Sequence, residues 1–328
     1  MTVDIDVIIP SRDRPERLVT CLEALSRQTF TDFRVIVVDD ASRVRVQDKL
    51  AAELADRLSI VVLRNDSPAG PVASRNTGVA ADEAPYVVFL DDDVRPAGDL
   101  LARHADVFAR HPGPVVSIGA LLPPATGGLA AWDDWQADRV AREHRRLARG
   151  ETSPSWTHLY TGNVAVRRVD FEEVGGFDGA FARQEDMELG FRLSQMGCRF
   201  VFEPGPVAWH EDERSLSSWL RLPAANARND VLMDRLRPES DRLRSVQEDL
   251  RSRHWLLRLA RRALGRPGVS ERSARLAAWA GTSLYRFGAR RPALAAFSLV
   301  WDLEYHRALA EAMGRAEGKQ PPSGPSPP

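Results

Sequence analysis

Three consecutive carboxylates, Asp91-Asp92-Asp93, follow directly on the apolar run Tyr86-Val87-Val88-Phe89-Leu90. The run is short, β-branched and aromatic, which predicts a buried strand that ends where the acids begin. Arg95-Pro96 follows and is expected to stop the sheet. Three adjacent acids repel one another unless a cation or strong hydrogen-bond donors sit among them. Asp91 and Asp93, two residues apart at a strand end, can turn the same way, one toward a ribose and the other toward a metal. The chemistry implied is capture of a phosphorylated ligand with its Mg2+ or Mn2+, since carboxylate oxygens suit both cations. Two later clusters can join it: Glu185-Asp186, at the start of a helical pattern, and His210 after Trp209. A carboxylate near an acceptor hydroxyl can take its proton during attack, while a metal neutralises charge on a leaving diphosphate. The bland alternatives are a solvated acidic loop, helix N-terminal charge complementation by Glu185, Asp186 and Glu188, and a strand-end histidine bonded to backbone.

Holding such groups together takes a sheet, and the first 90 residues read as one. Strands are expected at Val3–Pro10, Phe33–Val38 and Ser59–Leu63, alternating with helices over 15–28, 46–57 and 72–81. This βαβ spacing argues for a parallel sheet with helices on both faces. Each strand ends in a polar cluster: Ser11-Arg12, Asp39-Asp40, Asn65-Asp66 and the aspartate triplet. Polar groups repeated along the carboxyl edge of such a sheet predict a ligand crevice there, with Asp39 more simply a cap of its own turn. No Gly-x-Gly-x-x-Gly and no Walker-type loop occurs, which argues against a dinucleotide or P-loop binder. A helix at 100–110 and a strand at 115–122 follow. Residues 123–154 read as acceptor loops, a lid or a surface helix. Strand character returns at 160–166, then a helix from Gln184, then short strands at 200–202 and 207–209.

In this order the motifs resemble family 2 glycosyltransferases, inverting enzymes of GT-A fold that use nucleotide-activated sugars. The matching pieces are Val-Ile-Ile-Pro-Ser-Arg at 7–12, Val-Val-Asp-Asp-Ala-Ser at 37–42 and Ser-Arg-Asn-Thr-Gly at 74–78. They continue with Phe-Leu-Asp-Asp-Asp at 89–93, Thr-Gly-Asn-Val-Ala-Val-Arg-Arg at 161–168 and Val-Gly-Gly-Phe-Asp at 174–178. Glu-Asp-Met-Glu-Leu-Gly-Phe-Arg-Leu at 185–193 and Trp-His at 209–210 complete the set. The resemblance covers roughly residues 1–212. It implies an α/β fold with a Rossmann-like, mostly parallel sheet flanked by helices, its nucleotide-binding half at about 1–122 and its acceptor half at about 123–212. It further implies that Pro10 and Arg12 line the base pocket, that Asp40 bonds the base, and that Arg75 reaches the nucleotide or its diphosphate. Asp91 and Asp92 would face ribose and sugar, Gly162 and Asn163 the transferred sugar, and Asp93 with His210 the metal. Asp186 would be the base, with Glu185 the runner-up. The implied reaction is a metal-assisted inverting displacement from a nucleotide-sugar donor, UDP being the family's commoner nucleotide. The acceptor hydroxyl would belong to a glycan, a lipid-linked precursor or a small molecule. A nucleotidyltransferase shares the sheet and carboxylate logic but leaves Glu-Asp and Trp-His without work. A non-catalytic sugar-nucleotide-binding assembly partner is the reading from another class.

Charge is nearly balanced, 45 basic residues against 46 acidic, which excludes a polyanion binder as a description of the whole chain. The balance hides an asymmetry: Arg251 to Arg291 holds eleven arginines and one acid, Glu271, a local formal charge of +10. No nucleic-acid motif accompanies it, so no nucleic-acid partner is expected. Two cysteines, Cys21 and Cys198, make neither a disulfide framework nor a structural zinc site. The N-terminus passes straight into a strand pattern without a basic, then apolar, leader, and no apolar run reaches the ~20 residues of a membrane span. A cytoplasmic protein is expected. Residues 213–318 read as basic helices with Trp and Leu, either packed as a subdomain, the favoured reading, or resting peripherally at the inner face of the membrane. Residues 319–328, ending in Pro, Ser and Gly alone, are expected to be disordered.

Overall fold

The first apolar run forms β1 (Ile5–Ser11) at the middle of an eight-stranded sheet. The computed structural model describes residues 5–50, 54, 56–124, 129–211, 214–252 and 269–316. The remaining strands are β2 (Phe33–Asp39), β3 (Ile60–Arg64), β4 (Tyr86–Phe89), β5 (Val94–Pro96), β6 (Val115–Leu122), β7 (Val164–Arg167) and β8 (Arg199–His210), in the order β3-β2-β1-β4-β7-β6-β8-β5. β3, β2, β1 and β4 are mutually parallel. β7 runs antiparallel to both neighbours, and β8 returns parallel to β6.

Alternate residues of the central strands enter opposite cores. Val7, Ile9, Val35, Val37 and Val88 face one side, while Ile8, Ile36, Val38, Val87 and Phe89 face the other. A strand covered on both faces must be apolar throughout, which is why these runs do not alternate with polar residues. On the first face lie α1 (Pro15–Leu25), with Leu18, Cys21, Leu22 and Leu25, and α3 (Leu100–Arg110). On the second lie α2 (Gly70–Val79), α5 (Arg168–Glu173) and α6 (Glu185–Gln195), through Val72, Phe171 and Leu189. Asp6, the one acid inside β1, is buried and accepts from Arg168 at 2.7 Å, so the ion pair ties β1 to the start of α5.

Three expectations are corrected or narrowed. Of the helix expected over 46–57, Val46–Lys49 is a 3-10 turn and Leu54 is helical, with residues 51–53 and 55 lying outside the described residues. Arg95-Pro96 does continue the sheet: β5 pairs antiparallel with β8, Val94 against His210 and Arg95 against Trp209. Proline is tolerated because β5 is the edge strand, where a missing N–H costs no ladder bond. The two short strands expected at 200–202 and 207–209 are one strand, β8, with its register shifted opposite Gly119/Ala120.

The chain divides into two compact units, residues 1–128 with 137–212, and 129–136 with 213–328. The helix α4 (Ala131–Ala148) begins within the 129–136 strip of the second unit. The rest of that unit is helical among the described residues: α7 (Leu216–Trp219), α8 (Leu222–Leu236), α9 (Arg242–Ser252), α10 (Val269–Arg286) and α11 (Arg290–Ala316). Its core is aromatic. Trp219 meets Trp135 at 5.3 Å and Phe297 at 5.4 Å between ring centres, and Trp135 donates to Ser298 at 2.8 Å. Asp230, buried on α8, accepts from Arg242 at 2.6 Å and from the Tyr305 hydroxyl. The packing reading therefore accounts for the tryptophans and phenylalanines of this core. The expected tail at 319–328 lies outside the described residues.

Candidate functional site

Where β1 and β4 end side by side, the aspartate triplet leaves the sheet in three directions. Asp92 turns back to β1 and accepts from the Ser11 hydroxyl at 2.8 Å. Burial, opposed by that hydroxyl and reinforced by the charge of Asp93, pushes its carboxyl up to about 6. Asp91 turns toward α2 and accepts from Arg75 at 2.7 Å. Asp93 turns toward β8, with an oxygen 3.2 Å from His210 Nε2. Burial alone would raise Asp93, but His210 and then Arg14 and Arg17 hold it below the usual carboxylate range.

The β5–β8 pairing is what brings His210 here. Val94 opposite His210 in the ladder puts the histidine beside Asp93, and the Glu211 amide donates to the Asp93 carbonyl at 2.8 Å. Arg95 lies over the Trp209 ring at 4.5 Å and donates to Glu211 at 3.0 Å, closing the same ladder from outside. One ligand atom each from Asp91, Asp93 and His210 lies within 4.8 Å of the others. Two carboxylate oxygens and an imidazole nitrogen, partly buried, are ligands that would hold a divalent ion.

Arg75 links this group to the second acidic cluster. Its guanidinium, almost wholly buried, donates to Asp91 and to Glu185 at 2.8 Å, 5.6 Å from the Phe177 ring centre. Glu185 opens α6, and the preceding Gln184 sits in the left-handed region at φ 55. That conformation is unfavourable for a residue with a side chain and marks a tightly held helix start. Asp186 follows, accepting from the Met187 amide at 2.7 Å. Burial, then the neighbouring Glu185 charge, push Asp186 up to about 7 against the opposing Met187 N–H and Arg75.

Other expected site residues fall in different places. Gly162 belongs to the crevice: a Cβ there would lie 3.4 Å from Asp91 Oδ2 and 3.2 Å from Leu121, so the glycine keeps that approach open. Asn163 does not. It is buried, donates to the Ala120 and Pro206 carbonyls at 3.0 and 2.8 Å, and faces His104 Nε2 at 3.0 Å. Because both amide hydrogens are used, its oxygen accepts from His104 Nε2–H, and His104 Nδ1 accepts from Ser117 at 2.8 Å. Burial keeps that imidazole neutral, down to about 4. The contact with a sugar expected of Asn163 is thus corrected to an inner brace of the β6–β8 register shift.

Asp40 accepts from the Ala69 and Gly70 amides at 2.7 and 2.9 Å and from Asn65 at 2.8 Å, binding the start of α2. Burial would raise its carboxyl, but these donors and the Arg12 charge hold it low. Pro10 is half-buried and Arg12 exposed, both at the end of β1 beside β2. Asp39 is the turn cap expected of it, accepting from Ser42 at 2.9 Å, from Val46 at 3.2 Å, and from Arg64.

Arg14 and Arg17 also reach the aspartates, beyond the residues expected from sequence. Arg14 lies 2.8 Å from Asp93 and 3.5 Å from Asp92, and Arg17 lies 3.6 Å from Asp93. Their spacing, one helical turn apart at the start of the first helix, was the available signal.

A crevice of carboxylates and one histidine, at the carboxyl edge of a sheet wound with helices on both faces, defines an α/β protein with a candidate metal site at its strand ends. The family model for glycosyl transferase family 2 matches residues 6–175. The chain belongs to that family. It is 34% identical over 231 residues to the pre-mycofactocin glycosyltransferase of Mycobacterium tuberculosis, covering 67% of this chain and 45% of that one. It is 31% identical over 221 residues to the validoxylamine A glucosyltransferase of Streptomyces hygroscopicus subsp. jinggangensis, covering 59% of this chain and 52% of the relative. The chain thus spans about half the length of these relatives. Among solved structures, the mannosyltransferase PcManGT of Pyrobaculum calidifontis, in complex with GDP-Man and Mn2+, matches with TM-score 0.60 at 18% identity, covering 92% and 86% of the two chains. TarS 1–349 of S. aureus, in complex with UDP, matches with TM-score 0.54 at 16% identity, covering 96% and 92%. These likenesses show the GT-A fold.

Proposed function

We propose that this chain transfers a sugar from a nucleotide-sugar donor, UDP-linked, to an acceptor hydroxyl by an inverting single displacement. The observation that carries the reading is the convergence of Asp91, Asp93 and His210 within 4.8 Å at the end of β4, joined through Arg75 to the α6 acids. In this reading Asp93 and His210, with Asp91, hold the metal, and the imidazole in the set favours Mn2+ over Mg2+. The bound ion supplies positive charge to the diphosphate leaving group.

The chain's own residues do the rest. Pro10 and Arg12 flank the base, Gly162 faces the sugar, Asp92 braces the strand end through Ser11, and Asp40 fixes the loop beside the base through its amide bonds. Arg75 holds Asp91 and Glu185 at fixed spacing, so Glu185 is a positioning residue. Asp186, the acid of that pair not bonded to Arg75, takes the proton from the acceptor hydroxyl; its raised carboxyl suits a base working near neutral pH. Relatives named for pre-mycofactocin, validoxylamine A and amylovoran biosynthesis keep small-molecule and glycan acceptors within the reading, in envelope or secondary-metabolite synthesis.

The test is a thermal-shift panel of UDP-, dTDP- and GDP-sugars with and without Mn2+, followed by metal-dependent donor hydrolysis without acceptor. Stabilisation by one nucleotide class that requires the metal, together with hydrolysis, is the expected result. Binding without hydrolysis in every condition would leave only an assembly partner, and no binding would remove the reading.

A further inference from the structure

We propose that the outward face of α10 docks the protein on an anionic lipid surface. The helix is two-sided. Ala274, Ala278 and Gly281 form its buried side, and a Cβ on Gly281 would lie 3.0 Å from the Phe297 ring and 3.2 Å from Ala296 of α11. Small residues there let the two helices approach closely, and large residues are left for the other side.

That other side carries Leu276, 65% exposed, Trp279, 68% exposed, and Phe287, 89% exposed, immediately past the helix end. Offsets of three, eight and eleven residues put them along one stripe of a 3.6-residue helix. Leu284, 36% exposed, borders the stripe. Ordinary monomers scatter exposed apolar residues singly; a row with two aromatics and a leucine is a contact surface.

The charge around the stripe selects its occupant. Arg272, Arg275 and Arg286 are exposed on α10, and Arg291 is exposed just beyond it. They lie in the span Arg251 to Arg291, where eleven arginines meet a single acid. An apolar row bearing Trp and Phe, flanked by arginine, matches acyl chains beneath anionic headgroups. Tryptophan favours that boundary because its ring is apolar and its N–H polar. A second copy would bring the same arginines face to face and be repelled, and a nucleic acid would leave Leu276 and Phe287 without a partner. No helix among the described residues is long and apolar enough to cross a bilayer, so the helix would lie on the surface. The proposal stands independently of the donor chemistry above.

The experiment is flotation of the full chain with vesicles of phosphatidylcholine, alone or with about one-third phosphatidylglycerol. Binding only to the anionic vesicles, lost in high salt, is expected. Trp279→Ser/Phe287→Ser and, separately, Arg272→Glu/Arg275→Glu should each reduce the bound fraction at least about fivefold, with the thermal midpoint and donor hydrolysis unchanged. Brominated acyl chains should quench wild-type tryptophan fluorescence and spare the Trp279→Ser/Phe287→Ser variant, a reading that does not depend on flotation. Equal flotation of wild type and both variants overturns the proposal. So does absence of flotation, a dimer that Trp279→Ser/Phe287→Ser dissolves, or retention on RNA or DNA that survives the loss of Trp279 and Phe287.

Discussion

Arg75 donates to Asp91 at 2.7 Å from a side chain that is 4% exposed, so the first acidic cluster is held by a cation the solvent hardly reaches. The other arm of the same guanidinium bonds Glu185, 110 residues further along the chain. Removing a buried charge between two carboxylates leaves both uncompensated, which costs about 3–5 kcal/mol. Arg75→Met should therefore lower the thermal midpoint and weaken metal-dependent donor binding together. Arg75→Lys keeps the charge but not the fork, because an ammonium is a point donor. It should recover most of the midpoint and little of the activity. Unfolding curves and donor titration on both variants check the pair, and full recovery by lysine would refute the spacing argument.

Removing either half of the Asp93–His210 contact tests the metal group. Asp93→Asn and His210→Ala should each weaken Mn2+ binding by at least about tenfold, measured by paramagnetic resonance with UDP present. Asp92→Asn should weaken it much less, because Asp92 points to Ser11 at 2.8 Å rather than to the group. A larger loss at Asp92 than at Asp93 would reverse this division of the triplet.

Arg14 adds a competing cation. It lies 2.8 Å from Asp93 while its own side chain is 48% exposed, so it can swing away when a metal arrives. An exposed partner of this kind is worth about 1 kcal/mol or less. Arg14→Gln should therefore tighten Mn2+ binding in the absence of donor by about fivefold at most. Isothermal titration without nucleotide reads this directly. Unchanged or weaker binding would mean that Arg14 does not compete at Asp93.

Much of this site was legible because strand ends announce themselves in sequence. Ser11, Asp39, Asp40 and Asp91 to Asp93 each follow an apolar run, and a parallel sheet gathers such ends along one edge. His210 was legible only as a motif, because what brings it to Asp93 is the pairing of β5 with β8. Pro96 argues in sequence for the end of the sheet, and only the strand order reveals β5 as an edge, where proline is tolerated. Asn163 misled for the opposite reason. Its neighbour Gly162 does face Asp91, but both lie in the turn before β7, where no strand pattern sets direction, and Asn163 turns to His104 and the β6–β8 register shift. Arg14 and Arg17 offer only their one-turn spacing, and a long flexible cation's partner is not written in that spacing alone. In the second unit, helical periodicity was readable, but which face of α10 packed depended on Gly281 meeting Phe297.

In the proposed displacement the acceptor's proton goes to a group that is ionised but not strongly acidic, and Asp186 meets that condition. Burial and the Glu185 charge raise it to about 7 from 3.8, so the basic form accumulates only as pH rises through neutrality. The transfer rate at low donor concentration should therefore climb with pH to a plateau above about 7. Glu185→Gln removes a raising charge and should shift that limb toward acid while keeping it. Asp186→Asn should abolish transfer, and the limb with it, and leave donor binding near normal; loss of donor binding there would sink the assignment. Stability gives a second reading with the sign fixed by linkage. A carboxyl raised in the folded state favours the fold when protonated, so its contribution is fully present below about 4 and is lost as pH rises through about 7. Between those limits the wild type should lose midpoint relative to Asp186→Asn, whose amide does not titrate. A parallel course of the two midpoints from acid to neutral pH would show that Asp186 is not the titrating group.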